Sequence, residues 1–148
     1  MKPIVQDNSP EVSGKSVHDN AEVVELILID DAADLRGILR RLMERSGLIR
    51  VVGEANGAEE ASQLINAHEP DVILLDLAMP GGGALELIER LRIERQGMTI
   101  IVLSGYPTST TAHECIERGA DRYLEKGKPT SKLISEILEA HSIRKGLL

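Results

Sequence analysis

The sequence predicts an α/β protein, a five-stranded parallel sheet with five helices covering both faces. Three observations predict it. Short apolar runs alternate with longer segments whose apolar residues recur at helical spacing. Gly and Pro punctuate several of the junctions. Phe and Trp are absent and there are only 2 Tyr, so Leu, Ile, Val and Ala must fill the core. Those residues suit a sheet sandwiched between helices.

Residues 1–21, with Pro3, Pro10, Gly14 and several Ser and Asn, read as a flexible extension, and 22–148 as one domain. Val23–Ile29 is a strand, apolar except for Glu25. Leu35, Ile38, Leu39, Leu42 and Met43 follow at the spacing of one helical face, with Gly47 as the stop. Ile49–Ala55 is the second strand, and Ala58–His68 a helix with Ala61, Leu64 and Ile65 facing inward. Val72–Leu75 is the most apolar strand and is therefore expected at the centre. The loop Met79-Pro80-Gly81-Gly82-Gly83 can continue neither element, and the next helix is expected to carry Leu85, Ile88 and Leu91 inward. Thr99–Leu103 is the fourth strand, and the helix after it stops at Gly119. Arg122–Glu125 is a short fifth strand. The last helix starts near Ser131 with Leu133, Ile134, Ile137 and Leu138 on one face.

At 148 residues the chain is long enough for one real core. Its net charge of −7 and lack of a Lys/Arg cluster disfavour direct nucleic-acid binding, which normally needs a basic face. The single cysteine, Cys115, can form no internal disulfide and reads as a buried helical thiol. No stretch resembles a signal peptide or approaches the length of a membrane span, so no membrane is expected and cytoplasm is the default compartment.

The chemistry gathers at strand ends. Asp30 and Asp31 end the first strand, Asp76 the third and Ser104 the fourth, while Lys126 follows the fifth. Parallel sheets place ligands at the carboxyl ends of their strands. Three acids, a hydroxyl and an ammonium would suit magnesium and a phosphoryl group. Clustered carboxylates repel, and a hard divalent cation holds them together. Mg²⁺ prefers octahedral oxygen ligands and keeps several waters, so one or two carboxylates and a carbonyl suffice. A carboxylate nucleophile can form an acyl phosphate, and phosphoryl transfer depends mainly on positioning and on neutralising charge. Each residue alone has a blander reading: Asp76 as a helix cap, Asp30-Asp31 as a solvated loop, Ser104 as a turn residue, Tyr123 as a half-buried strand aromatic. The set favours the sharper one. Gly14-Lys15-Ser16 lacks the earlier glycine and strand of a phosphate-binding loop. His18, His68, His113 and His141 have no metal-ligand spacing.

Over about residues 23–144 the chain resembles the receiver domain of two-component response regulators. The resemblance is carried by Ile29-Asp30-Asp31, Leu75-Asp76-Leu77-Ala78-Met79-Pro80-Gly81, Val102-Leu103-Ser104-Gly105 and Gly119-Ala120-Asp121-Arg122-Tyr123-Leu124-Glu125-Lys126. It implies a flavodoxin-like sheet of order 2-1-3-4-5. It also implies that Asp76 is the phosphoacceptor, and that Asp31, assisted by Asp30, holds magnesium with the Asp76 carboxylate and the Ala78 backbone carbonyl. Ser104 would bond a phosphoryl oxygen, Lys126 would pair with its charge, and Tyr123 matches the aromatic that changes rotamer on activation. Gly127 stands where many receivers have proline, which makes Lys128-Pro129 a rival register. That register would put Glu125 at the aromatic position, so Lys126 is preferred. Ala78, two past the acceptor, stands where a polar side chain often helps position water, and bulky Tyr106 lies two past Ser104. A long-lived phosphoryl state is expected.

The function so implied is a signalling switch. A sensor histidine kinase or histidine phosphotransfer protein would phosphorylate Asp76, and a downstream protein would read roughly residues 107–144. The receiver leaves these 148 residues little room for an output domain, so a single-domain regulator or relay shuttle is expected. Two other readings compete. A phosphatase of the haloacid dehalogenase type would resemble D-x-D at the nucleophile, where this chain has Ala78. A phosphate-independent interaction module would keep the fold and fail to bind a phosphoryl mimic. The expectation is a phosphoacceptor that catalyses its own acceptance of the group from a donor, and not a turnover enzyme.

Overall fold

A computed structural model describes residues 23–79, 83–105 and 109–147. The extension expected at 1–21, the loop residues Pro80, Gly81 and Gly82, and Tyr106 lie outside the described residues. In chain order the elements are β1 (Val24–Ile29), α1 (Ala33–Arg45), β2 (Ile49–Ala55), α2 (Ala58–His68), β3 (Val72–Asp76), α3 (Ala84–Glu94), β4 (Thr99–Ser104), α4 (Ser109–Arg118), β5 (Arg122–Glu125) and α5 (Thr130–Arg144). The strands form one parallel sheet in the order β2-β1-β3-β4-β5, as the family resemblance implies.

Alternation along the strands divides the apolar residues between two cores. Ile27, Ile29, Ile73, Leu75, Ile100 and Val102 point to one face, where they meet Ala61 and Ile65 of α2, Leu87, Ile88 and Leu91 of α3, and Cys115 of α4. Leu26, Leu28, Val72, Leu74, Ile101 and Leu103 point to the other, against Met43 of α1 and Leu133, Ile137 and Ala140 of α5. Burial on both faces is why β3 and β4 read as unbroken apolar runs; all of their residues are buried, including Asp76 and Ser104 at their ends.

Two helix faces differ from the expectation. In α3 the buried residues are Ala84, Leu87, Ile88 and Leu91, and Leu85 is only partly buried. The spacing i, i+3, i+4, i+7 from Ala84 sets the phase. In α1, Met43 is the buried residue and Ile38 is 46% exposed. This helix lies against the edge of the sheet, over β1 and β2, so its apolar stripe is only partly covered.

Gly119, just past α4, has φ +125, and a Cβ there would lie 2.7 Å from Cβ and Cγ of Arg92. Arg92 donates to the Gly119 carbonyl at 2.9 Å and to Asp121 at 2.8 Å, tying α3 to the start of β5. No helix among the described residues is long and apolar enough to cross a membrane.

Candidate functional site

Strand register assembles the site. Ile29 pairs with Leu75, so Asp30 and Asp76, each one step further on, emerge side by side at the carboxyl edge of β1 and β3. Asp76 pairs with Leu103 and Ser104 with Glu125, which staggers Ser104 and then Lys126 along the same edge. The Lys126 N–H donates to the Ser104 carbonyl at 2.9 Å and the Leu77 N–H to the Leu103 carbonyl at 3.1 Å, continuing the ladder past the strand ends.

Carboxylate oxygens of Asp30, Asp31 and Asp76 lie within 4.8 Å of one another. Asp30 and Asp76 are buried and Asp31 is exposed, so the cluster has one open side. Asp76 Oδ1 accepts the Ala78 N–H at 3.1 Å and Asp30 Oδ1 the Ala32 N–H at 2.8 Å. These are turn-type bonds two residues ahead, and they orient the carboxyls without capping a helix. Ala78 is exposed and meets Asp76 through its N–H; a metal-binding role for its carbonyl rests on the resemblance.

Lys126 Nζ stands 3.1 Å from Asp76 Oδ2 and 3.6 Å from Asp30 Oδ2. Lys128 Nζ turns instead to Glu125, at 3.4 Å. Gly127 between the two has φ +92, so the chain leaves β5 through a left-handed glycine. Burial opposes the charge on Lys126, but its hydrogen bond to Asp76 and the fields of Asp30 and Asp76 outweigh that and raise its pKa. Burial also pushes the Asp30 carboxyl up, and repulsion from Asp76 and Asp31 adds to this. The Ala32 N–H and Lys126 offset only part of it. Among the described residues, three acids thus face one ammonium.

That imbalance is the test of whether a metal fits. The donors are hard carboxylate oxygens, one side is open, and the negative charge is undercompensated, so the residues suit Mg²⁺ or a similar hard cation.

Tyr123 pairs with Val102 in β5, three residues before Lys126, and packs partly buried against the core. Its hydroxyl is buried without a hydrogen-bond partner among the described residues. Sequence reasoning did not single out Arg36 of α1, whose guanidinium donates to the Asp30 carbonyl and, at 3.1 Å, to Glu54. Its only signal was a basic residue five positions past Asp31, which local pattern reads as a solvated helix position.

The family model for the response regulator receiver domain matches residues 26–138. The chain belongs to that family. Receivers bind Mg²⁺ at an acidic aspartate cluster, and magnesium and phosphoaspartate are general to the family. This receiver is 36% identical over 121 residues to the nitrate/nitrite response regulator protein NarL of Escherichia coli (strain K12), an alignment covering 82% of this chain and 56% of NarL. It is 32% identical to the response regulator UvrY of Escherichia coli O6:H1, covering 81% of this chain and 55% of that one. The chain therefore spans about half the length of the curated relatives it matches. Among solved structures, the signal receiver domain of the putative response regulator NarL from Mycobacterium tuberculosis superposes with a TM-score of 0.76 at 29% identity, over 84% of this chain and 98% of that one. A Burkholderia pseudomallei response regulator, solved with a phosphorylated aspartic acid, calcium ion and citrate, superposes at 0.70 and 29% identity, over 83% of this chain and 72% of that one.

Proposed function

We propose that this receiver is a phosphorylation-activated switch in which Asp76 takes a phosphoryl group from a phosphohistidine on a sensor kinase or phosphotransfer protein. A single observation carries it: Lys126 Nζ lies 3.1 Å from Asp76 Oδ2 while Asp30 and Asp31 complete a carboxylate cluster within 4.8 Å. The solved relative with a phosphorylated aspartic acid supports the same reading.

In the proposed step an Asp76 carboxylate oxygen attacks phosphorus. The new O–P bond makes an acyl phosphate as the P–N bond to the donor histidine breaks, and the imidazole nitrogen leaves with the electron pair. Lys126 pairs with the incoming phosphoryl charge, and the Ser104 hydroxyl bonds one of its oxygens. Asp30, Asp31 and Asp76, with the Ala78 carbonyl, would hold Mg²⁺, which when bound neutralises the acids and the charge on the transferring group. Ala78 offers no polar side chain to hold an attacking water, and this supports a phosphoryl state lasting minutes or longer. It also leaves no acid where a D-x-D phosphatase has one, in keeping with an acceptor that does not turn over. Tyr123 changes rotamer as Ser104 moves to the phosphoryl group. A downstream protein reads the altered surface across roughly residues 107–144.

The test is the intact mass after incubation with Mg²⁺ and acetyl phosphate, beside Asp76→Asn. One phosphoryl adduct, absent in the variant and without Mg²⁺, is expected. Beryllofluoride binding is the second arm. A protein that takes neither phosphoryl group nor beryllofluoride is a phosphate-independent interaction module.

A further inference from the structure

We propose that Arg36 is a positioning residue for the acidic cluster: with Glu54 and Arg40 it holds the Asp30 peptide so that Asp30 and Asp31 meet the cation together. The inference rests on the metal and phosphoacceptor reading of Asp30, Asp31 and Asp76 and adds to it a part played by α1 and β2.

The network is continuous. Arg36 donates at 3.1 Å to Glu54 Oε1 and through its other branch to the Asp30 carbonyl. Arg40 donates at 2.8 Å to Glu54 Oε2 and at 3.1 Å to the Val51 carbonyl. Glu44 accepts the Val51 N–H at 3.1 Å. Both backbone groups of Val51, on the edge strand of the sheet, are thus taken by side chains of α1. This point on β2 is where the strand is irregular: Leu26 pairs with Val51 but Ile27 with Gly53, so Val52 is an extra residue. Such a bulge redirects the strand beyond it. Here it sets Glu54 beside Leu28 and Ala55 beside Ile29, level with the end of β1.

Asp30 is consequently fixed on every side. Its N–H donates to the Ala55 carbonyl at 2.9 Å, its carboxyl accepts from Ala32 and pairs with Lys126, and its carbonyl accepts from Arg36. The carbonyl bond from Arg36 and the Ala32 N–H bond to the carboxyl together fix the peptide that leads to Asp31, the exposed member of the acid cluster. Arg36 is 16% exposed and lines, with Asp30 and Asp76, the small cavity beneath the acids. A plain tie between α1 and β2 would be satisfied by Arg40 and Glu54. Arg36 adds the one bond that reaches the site. Residues that orient metal ligands from behind commonly change metal affinity about 10- to 100-fold when removed.

The experiment is a calorimetric Mg²⁺ titration of EDTA-stripped protein, with the thermal midpoint of the same samples measured in EDTA. Arg36→Met keeps an apolar stem and loses the fork; its Mg²⁺ dissociation constant should rise by about 10-fold or more. At saturating Mg²⁺ it should still take one phosphoryl group, because no acceptor has been removed. Arg36→Lys keeps the charge but cannot serve Asp30 and Glu54 in one fixed fork, so it should fall between the two and provides the reading if the Met variant does not fold. A dissociation constant within about twofold of the parent in the folded variants, even with a lowered midpoint, overturns the inference, since a structural tie affects stability alone. A parent protein that binds no Mg²⁺ overturns this and the phosphoacceptor reading together. A parent that binds while the variants match it overturns this alone.

Discussion

Lys126 reaches across the carboxyl edge of the sheet to Asp76, Nζ to Oδ2 at 3.1 Å, and the left-handed Gly127 turns the next lysine away from it. The two lysines are therefore separable by experiment. If Lys126 pairs with the transferring phosphoryl group as proposed, Lys126→Met should cut phosphoryl incorporation from acetyl phosphate by about 10-fold or more. Lys128→Met removes only a surface pair with Glu125 and should stay within about twofold. Initial rates of adduct formation by mass decide the assignment. Equal losses in both variants, or a larger loss at Lys128, would restore the rival register.

Asp30 carries a conflict between fold and site. It is buried beside Asp76 and within the same acid cluster as Asp31, with one ammonium among the described residues to offset three carboxylates. Asp30→Asn keeps the oxygen that accepts the Ala32 N–H and removes one of the repelling charges. Without Mg²⁺ at neutral pH the variant should be more stable by about 1 kcal/mol, raising the melting midpoint by about 4 °C. Its Mg²⁺ affinity should fall by about 10-fold or more if Asp30 serves the cation as proposed, since a buried anionic oxygen is gone. Thermal melts in EDTA and a Mg²⁺ titration give both numbers. A variant that melts lower than the parent would mean Asp30 supports the fold.

The acids were legible in the sequence because a strand buried on both faces is an unbroken apolar run, and any polar residue ending it stands out. Asp30, Asp76 and Ser104 all announce themselves this way, and strand register brings them together without further information. Helix phase was less legible. Leu85, Ile88 and Leu91 fit an inward face, yet the stripe that packs runs through Ala84 and Leu87. Ile38 belongs to an apolar stripe that the sheet edge does not fully cover. Arg36 was invisible for a different reason. Its partner Glu54 lies 18 residues away and comes level with β1 only because of the bulge at Val52, which no local pattern encodes. Which of Lys126 and Lys128 faces the acids was open in the sequence because it turns on the backbone at Gly127, whose φ is +92, and Lys126 is the one that lies beside Asp76.

Two glycines separate the cost of backbone strain from the cost of contact. Gly127 has φ +92 with open space where a Cβ would go, so Gly127→Ala should cost about 1 kcal/mol from the backbone alone. Gly119 has φ +125 and would drive a Cβ to 2.7 Å from Arg92, whose bonds to Gly119 and Asp121 hold α3 to β5. Gly119→Ala should cost about 3 kcal/mol. Urea unfolding of the two variants checks the order. Equal costs would show that Arg92 yields without losing its partners.

Stability should also fall on mild acidification through His141 of α5. Burial pulls its pKa below the ordinary 6.5, Lys145 lowers it further, and Asp71 only partly opposes them. Its Nδ1 is buried with no hydrogen-bond partner among the described residues. The folded state therefore prefers neutral imidazole more than the unfolded chain does. That preference is fully present above 6.5 and is lost as pH falls from there through the lowered folded value. The melting midpoint should drop between about pH 7.5 and about pH 5 from this group. His141→Leu, which puts an apolar side chain in the same half-buried place, should flatten that part of the profile. The difference between parent and variant isolates His141 from the other histidines. Parallel profiles would show that the imidazole reaches water when it takes up its proton, and that burial at this position does not couple folding to pH.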